Sequence, residues 1–504
     1  MATAIQQPNL DSATHLSAQP SRPSSRRLLF GIVAAAFTLR IIVVALTFRD
    51  LTDPANHFER FGNEVGWIAR SIIHHQGFSS PFFDLSGPTA LLPPLYPYIL
   101  AGIFKLFGLY STKSALAILT FNGLCSALTC IPIYLAARLS VNSRLAAFAA
   151  WGWAIYPFSI YFAVGRVWEF SLTSLLITTC FYLALTLHWD RPLRWLGFGV
   201  LYGIAGLSNP AVFSLAPLLL LLPIARLWML RRTAGLGFFS SPFCGDILRR
   251  ASLTAFGLII VLTPWTVRNY KVMHVLCPVR DCFWYEFWSA NNGDDTNPTL
   301  AWTHPASNPD EMVLYQAQGE VQYITNKQKI VKEFVANNHA FFYRLTARRI
   351  LNYWTGFWSL DPSYRRQEPT QIPNVFFCSS LTLLMLIGGI GWWRRDPAAA
   401  LPYLLSILLF PIAYYTTHPL MDYRQPIEPE IVVLVVVGLS AVKARIRSRL
   451  EDSNLMRESV AAEIFAQSSD SVSFPMEHAF DADDCSCSVC IAASAAVEPS
   501  ATAG

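Results

Sequence analysis

Long apolar runs that break off at arginine or lysine set the pattern of this chain. Leu28–Phe48 and Ile427–Val442 are typical, each bounded by a basic cluster. Runs of this kind approach the roughly 20 residues that a helix needs to cross a bilayer. They predict spans near 28–48, 114–138, 145–164, 169–188, 194–209, 211–229, 251–268, 373–393, 399–416 and 427–442. The fold class expected is therefore an all-α polytopic membrane protein with about ten transmembrane helices.

The basic residues give this division a direction. Arg22, Arg26 and Arg27 precede the first run, and Arg138 and Arg144 flank the turn after the second. Arg191 and Arg194 follow the fourth, Arg231, Arg232, Arg249 and Arg250 the sixth, Arg394 and Arg395 the eighth. Lys443, Arg445, Arg447 and Arg449 follow the last. Every second connection is basic, which predicts that both termini are cytoplasmic. The first run follows a long polar segment and lacks a small-x-small cleavage site, so it reads as an uncleaved span.

Leu91–Gly108 is apolar enough to be a span, but counting it would invert every later loop. It opens with Pro93, Pro94 and Pro97 and contains Lys105, so it is expected to be a re-entrant or interfacial helix on the outer face. The division that results is a cytoplasmic segment 1–27, a membrane domain 28–442 with outer loops 49–113, 269–370 and 417–426, and a tail 443–504. Loops longer than about 12–15 residues are usually functional. Arg344–Trp358 is expected to lie in the membrane plane, with Arg344, Arg348 and Arg349 on one side and Leu351, Trp354 and Trp358 on another. From Glu451 onward the Ser, Ala, Glu and Asp content and the lack of periodicity predict disorder.

Composition supports the membrane reading. Hydrophobic residues make up 53% of 504 and charged ones 14%, against about 25% charged in a soluble protein. The net charge of +5 sits in short loops, which argues against nucleic-acid binding. Of the ten cysteines, Cys277 and Cys282 alone fall in an outer loop, where a short disulfide is expected. Cys485, Cys487 and Cys490 suggest metal binding only weakly. Asn291-Asn-Gly-Asp-Asp reads as a turn, since it lacks the ligand spacing of an EF-hand. No metal or other cofactor is expected.

Candidate chemistry lies in the outer loops. Glu64 shares a helical face with Ile68 and Ile72, as a functional carboxylate or as a first-turn glutamate favoured by the helix dipole. Downstream stand Ala69-Arg70-Ser71-Ile72, Gly77-Phe78 and Pro93-Pro94-Leu95. In this order the motifs resemble the glycosyltransferase-C superfamily, in particular the branch of protein O-mannosyltransferases and the lipid A aminoarabinose transferase. The resemblance covers roughly residues 28–442. It departs from that branch where Asn63-Glu64 and Trp67 replace an Asp-Glu pair followed by tyrosine, and where Leu92 stands in place of a lysine.

The resemblance implies transfer of a sugar from a polyprenyl-phosphate donor to a glycan, lipid or protein acceptor at the outer face of a bacterial inner membrane. Glu64 is the expected general base, with Glu59 in reserve; a carboxylate shielded from water makes a better base. Arg268, in Thr263-Pro-Trp-Thr-Val-Arg-Asn-Tyr, is either a lipid-phosphate ligand or a snorkelling arginine. Arg424, in His418-Pro-Leu-Met-Asp-Tyr-Arg-Gln-Pro-Ile-Glu-Pro, is either a second phosphate ligand or part of an ion-paired turn with Asp422 and Glu428. Tyr96 and His418 complete the expected substrate-binding set. The alternative is a transporter or lipid flippase, but transporters keep ionisable residues at mid-bilayer depth and show internal repeats.

Overall fold

A computed structural model of the chain describes residues 23–52, 61–83, 85–187, 191–233, 241–293, 303–357, 366, 370–417 and 421–470. Among them every regular element is helical, and β pairing is limited to an isolated bridge between Ser79 and Pro88. Five stretches are long and apolar enough to cross a membrane: Arg26–Phe48, Thr112–Ser140, Gly245–Met273, Gln371–Arg395 and Pro397–Tyr415. The pair Ser143–Ile155 and Pro157–Val164, bent by 44°, makes a sixth if it is one span. The protein is an integral membrane protein built of helices.

Length and hydropathy do not by themselves reach ten spans. Phe170–Thr186 and Pro192–Ser208 have 17 residues each, about 26 Å of helix against a hydrocarbon core of about 30 Å. Pro210–Ala225 is also short. Glu428–Asp470 begins on Glu428 and Glu430 and meets Lys443 and Arg445 within five turns.

The first unit, Met1–Val442, contains nearly all of the elements. Helix α1 is Pro23–Thr52, followed by α2 (Asn63–Ile73), α3 (Leu95–Phe107), α4 (Thr112–Leu128), α5 (Cys130–Ser140), α6 (Ser143–Ile155), α7 (Pro157–Val164), α8 (Phe170–Thr186) and α9 (Pro192–Ser208). A 3-10 turn, Pro210–Leu215, leads into α10 (Ala216–Thr233) and α11 (Ser241–Met273). The segment after α11 forms α12 (Phe283–Ala290), α13 (Pro309–Gln318), α14 (Glu320–Asn337) and α15 (His339–Thr355). Then come α16 (Gln371–Arg395), α17 (Pro397–Leu409), α18 (Ile412–Tyr415), a 3-10 turn Met421–Ile427, and α19 (Glu428–Asp470).

A buried cation repairs the break between α6 and α7. Pro157 has no N–H to give the carbonyl of Trp153, so the α6 ladder ends there. Arg40 of α1 is fully buried and reaches across. It donates to Ala154 O at 3.1 Å, Trp153 O at 3.4 Å, and the hydroxyls of Ser126 and Ser159 at 2.9 and 2.8 Å. Small residues pack α9 on α11. A Cβ on Gly257 would lie 2.5 Å from Leu196 O, and one on Gly199 would collide with Thr254 O. Without side chains at these points the backbones meet directly, as small residues allow in membrane helices.

Residues 61–83 and 85–107 fold over one end of this bundle. α2 and α3 bury Val65, Ile68 and Ala69 against Tyr96, Leu100 and Phe104. With 11 and 13 residues they are too short to cross, in keeping with the interfacial or re-entrant helices expected there. A second cluster joins Phe82 and Leu91 to Tyr285, Trp288, Tyr315 and Tyr323 of α12–α14.

Three expectations are corrected. Cys277 and Cys282 are both free thiols, buried rather than bonded. The loop between them is pinned instead by Trp265 Nε1 on Val279 O at 2.6 Å and Asn269 Nδ2 on Cys277 O at 2.9 Å. Arg349 leaves the basic side of α15 and lies on its buried face with Leu345, Asn352 and Tyr353. There it donates to Asn291 Oδ1 at 3.0 Å and to the carbonyl of Ala290. In the second unit, Lys443–Gly504, residues 443–470 are helical although disorder was expected from Glu451. Its Arg, Leu, Glu and Ala residues are strong helix formers, and Arg447 pairs with Glu451 one turn on at 2.7 Å. Residues 471–504, with Cys485, Cys487 and Cys490, lie outside the described residues.

Candidate active site

Glu64 enters through a strained turn. Gly62 and Asn63 have φ of 92° and 44°, so the chain reverses into α2 and sets Glu64 in its first turn, where the helix dipole favours an anion. One carboxylate oxygen lies 3.0 Å from His304 Nε2. The Glu64 side chain keeps 18% of its surface open, enough to meet a substrate.

The turn between α7 and α8 lies alongside: a Cβ on Gly62 would be 3.2 Å from Val167. That turn carries Arg166 and Glu169. The Arg166 guanidinium is half exposed and lies 3.7 Å from Asp422 of the second 3-10 turn. Glu169, one residue ahead of α8, accepts from Asn209 Nδ2 at 3.4 Å. Its side chain is buried. Arg280 donates to Glu286 at 3.3 Å and to Leu91 O at 3.1 Å. Tyr285 lies within electrostatic range of both Glu64 and Glu286, and Tyr423 of Arg280, Glu286 and Asp422. Five separate connections thus contribute to one polar site.

The expected residues divide. Glu64 is in this site. Tyr96 is fully buried and donates to Asn122 Oδ1 at 3.0 Å, while Asn122 Nδ2 reaches Arg166 O at 3.5 Å. It therefore braces the Arg166 turn from behind. Arg268 clasps the two arms of the 78–89 loop, with Nη1 on Thr89 O at 2.7 Å and Nη2 on Phe78 O at 2.5 Å, over the rings of Trp265 and Phe78. Arg424 is fully buried, paired with Glu428, and donates to Tyr353 O at 3.2 Å; Tyr156 completes the group at 2.8 Å from Glu428. Of the two carboxylates named beside Arg424, Glu428 pairs with it and Asp422 lies against Arg166 instead. Glu59 and His418 lie outside the described residues.

Sequence reasoning missed Arg166, Glu169, Arg280, Glu286 and His304. For the first pair a signal was present: two charges in a short connection between apolar runs, one of them an arginine against the basic-inside trend. For His304 none was, because its meaning lies entirely in a partner 240 residues away. Among the described residues no group of three or more His, Cys, Asp or Glu side chains is placed to hold a metal ion.

The Dolichyl-phosphate-mannose-protein mannosyltransferase family model matches residues 92–240. The match starts one residue before Pro93-Pro94-Leu95 and takes in Arg166 and Glu169, so the resemblance expected from the motifs stands over that segment. No curated protein matches the chain at a significant level. Among solved structures, an Archaeoglobus fulgidus oligosaccharyltransferase in the apo form aligns at 16% identity over 86% of this chain and 52% of that one, with a TM-score of 0.47. The oligosaccharyltransferase AglB of the same organism, in complex with an inhibitory peptide and a dolichol-phosphate, aligns at 15% identity over 78% and 48%, with a TM-score of 0.44. ArnT from Cupriavidus metallidurans, bound to undecaprenyl phosphate, aligns at 15% identity over 81% and 79%, with a TM-score of 0.33. The chain spans about half the length of the archaeal oligosaccharyltransferases. Below a TM-score of 0.5 these likenesses are distant, and the site stands on its own residues.

Proposed function

We propose that this protein is a membrane glycosyltransferase that moves a sugar from a polyprenyl-phosphate donor to an acceptor hydroxyl at the outer face of a bacterial inner membrane, with both termini cytoplasmic. One observation carries the reading: the segment matched by the mannosyltransferase family model supplies Arg166 and Glu169 to the same polar site as Glu64. That every contributing connection belongs to the same side in the basic-loop pattern supports it further.

In this reading the acceptor oxygen attacks the anomeric carbon as the bond from that carbon to the lipid phosphate breaks. Glu64 takes the acceptor proton, the sugar ends on the acceptor, and the phosphate keeps the bonding electron pair and leaves as lipid phosphate. Glu64 then returns its proton to water. General-base assistance of this kind contributes about 10²–10⁴ in rate. The leaving phosphate gathers negative charge, and the half-exposed Arg166 is the cation that meets it, its planar fork matching phosphate oxygens. Arg268 and Arg424, committed to backbone carbonyls and Glu428, serve the site by holding its walls.

The test is turnover of a panel of radiolabelled polyprenyl-phosphate sugars by purified protein in nanodiscs. Glu64→Gln is expected to lower turnover about 10²–10⁴-fold with donor affinity kept. Arg166→Ala is expected to weaken donor affinity as well as turnover. Glu64→Gln turning over at the wild-type rate removes Glu64 as the base. Movement of the intact lipid-linked sugar across vesicles, with no transfer, supports the transporter reading instead.

A further inference from the structure

The Glu64–His304 contact assigns a proton. His304 Nδ1 accepts from the backbone N–H of Ala306 at 3.2 Å, so in the neutral ring Nδ1 carries the lone pair and Nε2 the hydrogen. Nε2 faces Glu64 at 3.0 Å and donates to it. The donor is firmly mounted. The His304 carbonyl accepts from Ser307 and Asn308 N–H at 2.8 and 2.9 Å. The neighbouring Thr303 is held by Tyr285 through its carbonyl at 3.3 Å and by Ser289 through its hydroxyl at 2.6 Å. The imidazole stands edge-on to Phe82, 5.2 Å between centroids at 87°. Phe82 and Tyr285 are both nearly sealed from solvent, whereas Glu64 and His304 remain partly open.

A glutamate has three rotatable bonds and wanders when unrestrained. Here one oxygen is tied to a ring that rests on a rigid aromatic wall, leaving the second oxygen to receive a proton. We propose that His304 is a positioning residue for the transfer, holding one oxygen of Glu64 through Nε2–H so that the other faces the acceptor hydroxyl. The inference rests on the reading of Glu64 as the base. A group placed through its neighbour acts on the rate of the chemical step, since misplacement by about 1 Å can cost 10²-fold. It does not touch the donor lipid.

Two measurements test this, one independent of any substrate. Nitrogen-15 NMR of histidine-labelled full-length protein in nanodiscs, with His304 identified by the signal lost in His304→Gln, should show neutral His304 protonated at Nε2, and Glu64→Gln should shift that signal. A proton on Nδ1, or no response to Glu64→Gln, overturns the proposal. The second measurement uses the radiolabelled polyprenyl-phosphate sugar that wild type turns over in the panel above. His304→Ala should lower kcat roughly 10- to 100-fold, with the donor KM within about threefold. His304→Gln, which keeps an N–H donor near the Nε2 position, should recover most of that loss. In the Glu64→Gln background His304→Ala should cost nothing further. If Glu64→Gln is inactive but His304→Ala retains wild-type kcat, the positioning role alone falls. If Glu64→Gln is itself fully active, Glu64 is not the base and the positioning role falls with it, although transfer stands; if no donor is turned over, the glycosyltransferase reading has failed, while the NMR result still decides whether the pair is organised as described. Should His304→Ala lose its thermal transition, the His304→Gln kinetics and the NMR result carry the decision.

Discussion

At the scale of single residues, burial rather than identity decides what the charged groups do. Arg40, Arg349 and Arg424 bond backbone carbonyls at helix ends, and Arg268 bonds those of a loop. An arginine suits this work because its fork reaches several acceptors at once and stays charged. Arg40→Leu is therefore expected to leave the Ala154 carbonyl without its donor, at about 1–3 kcal/mol, while Trp153 O keeps the Tyr156 N–H and the Ser159 hydroxyl; Arg40→Lys should recover only part of that loss. Thermal unfolding in detergent checks both. Glu320 gives a pH effect of known sign. Its carboxylate accepts from Ala90 N–H at 2.6 Å, Tyr315 at 2.6 Å and the Thr89 hydroxyl. Burial, and then the neighbouring Asp281, push its carboxyl up to about 8. A folded value above the unfolded one means that the fold prefers the protonated acid. The stability it contributes is full below the ordinary carboxylate range and is lost as pH rises through about 8. Hydrogen exchange at Thr89–Leu91, corrected for its intrinsic pH dependence, should quicken between pH 5 and 8. Glu320→Gln should flatten that rise; an unchanged slope would mean that Glu320 is not the titrating group.

At the scale of elements, chain breaks and small residues do more than propensity. α6 stops because Pro157 cannot donate, and after the bend that follows the α7–α8 turn, with Arg166 and Glu169, lies beside Gly62. Glycine lets α9 and α11 approach backbone to backbone. Gly257→Ala must push a methyl against Leu196 O, an overpacking typically worth about 1–3 kcal/mol. Gly245→Ala, on the same helix with open space around it, should be neutral or better. The comparison needs only two melting curves; equal destabilisation by both would count against direct backbone packing.

For the whole molecule, the prediction concerns sidedness. Residues of the polar site come from the connections after α1, α7, α9 and α11 and from the segment before α19, all on one side in the basic-loop pattern. Ser307 and Ser448 are exposed and lie on opposite sides of that pattern. A cysteine at 307 should react with a membrane-impermeant thiol reagent in intact cells, and one at 448 should not. The reverse labelling would invert the orientation and move the site to the cytoplasmic face.

The membrane-embedded helical class was legible in the apolar runs, because a bilayer tolerates little else. So were the short helix of Leu95–Phe107, from Pro93, Pro94 and Lys105, and Glu64 as a carboxylate in a place worth explaining. These are properties of position along one chain, set by hydropathy and local sterics. The partners of each charge were not legible, since they depend on which distant backbone groups are left without a donor. For Arg268 and Arg424 the sequence left a phosphate ligand open beside a snorkelling arginine and an ion-paired turn; the fold commits one to Thr89 and Phe78 and the other to Glu428 and Tyr353. Arg166 and Glu169 sat unremarked in a short turn until the bend at Pro157 set that turn beside Gly62. His304 acquires its meaning only from Glu64, 240 residues earlier, because a hydrogen bond is made by distance in space and no pattern along the chain records it.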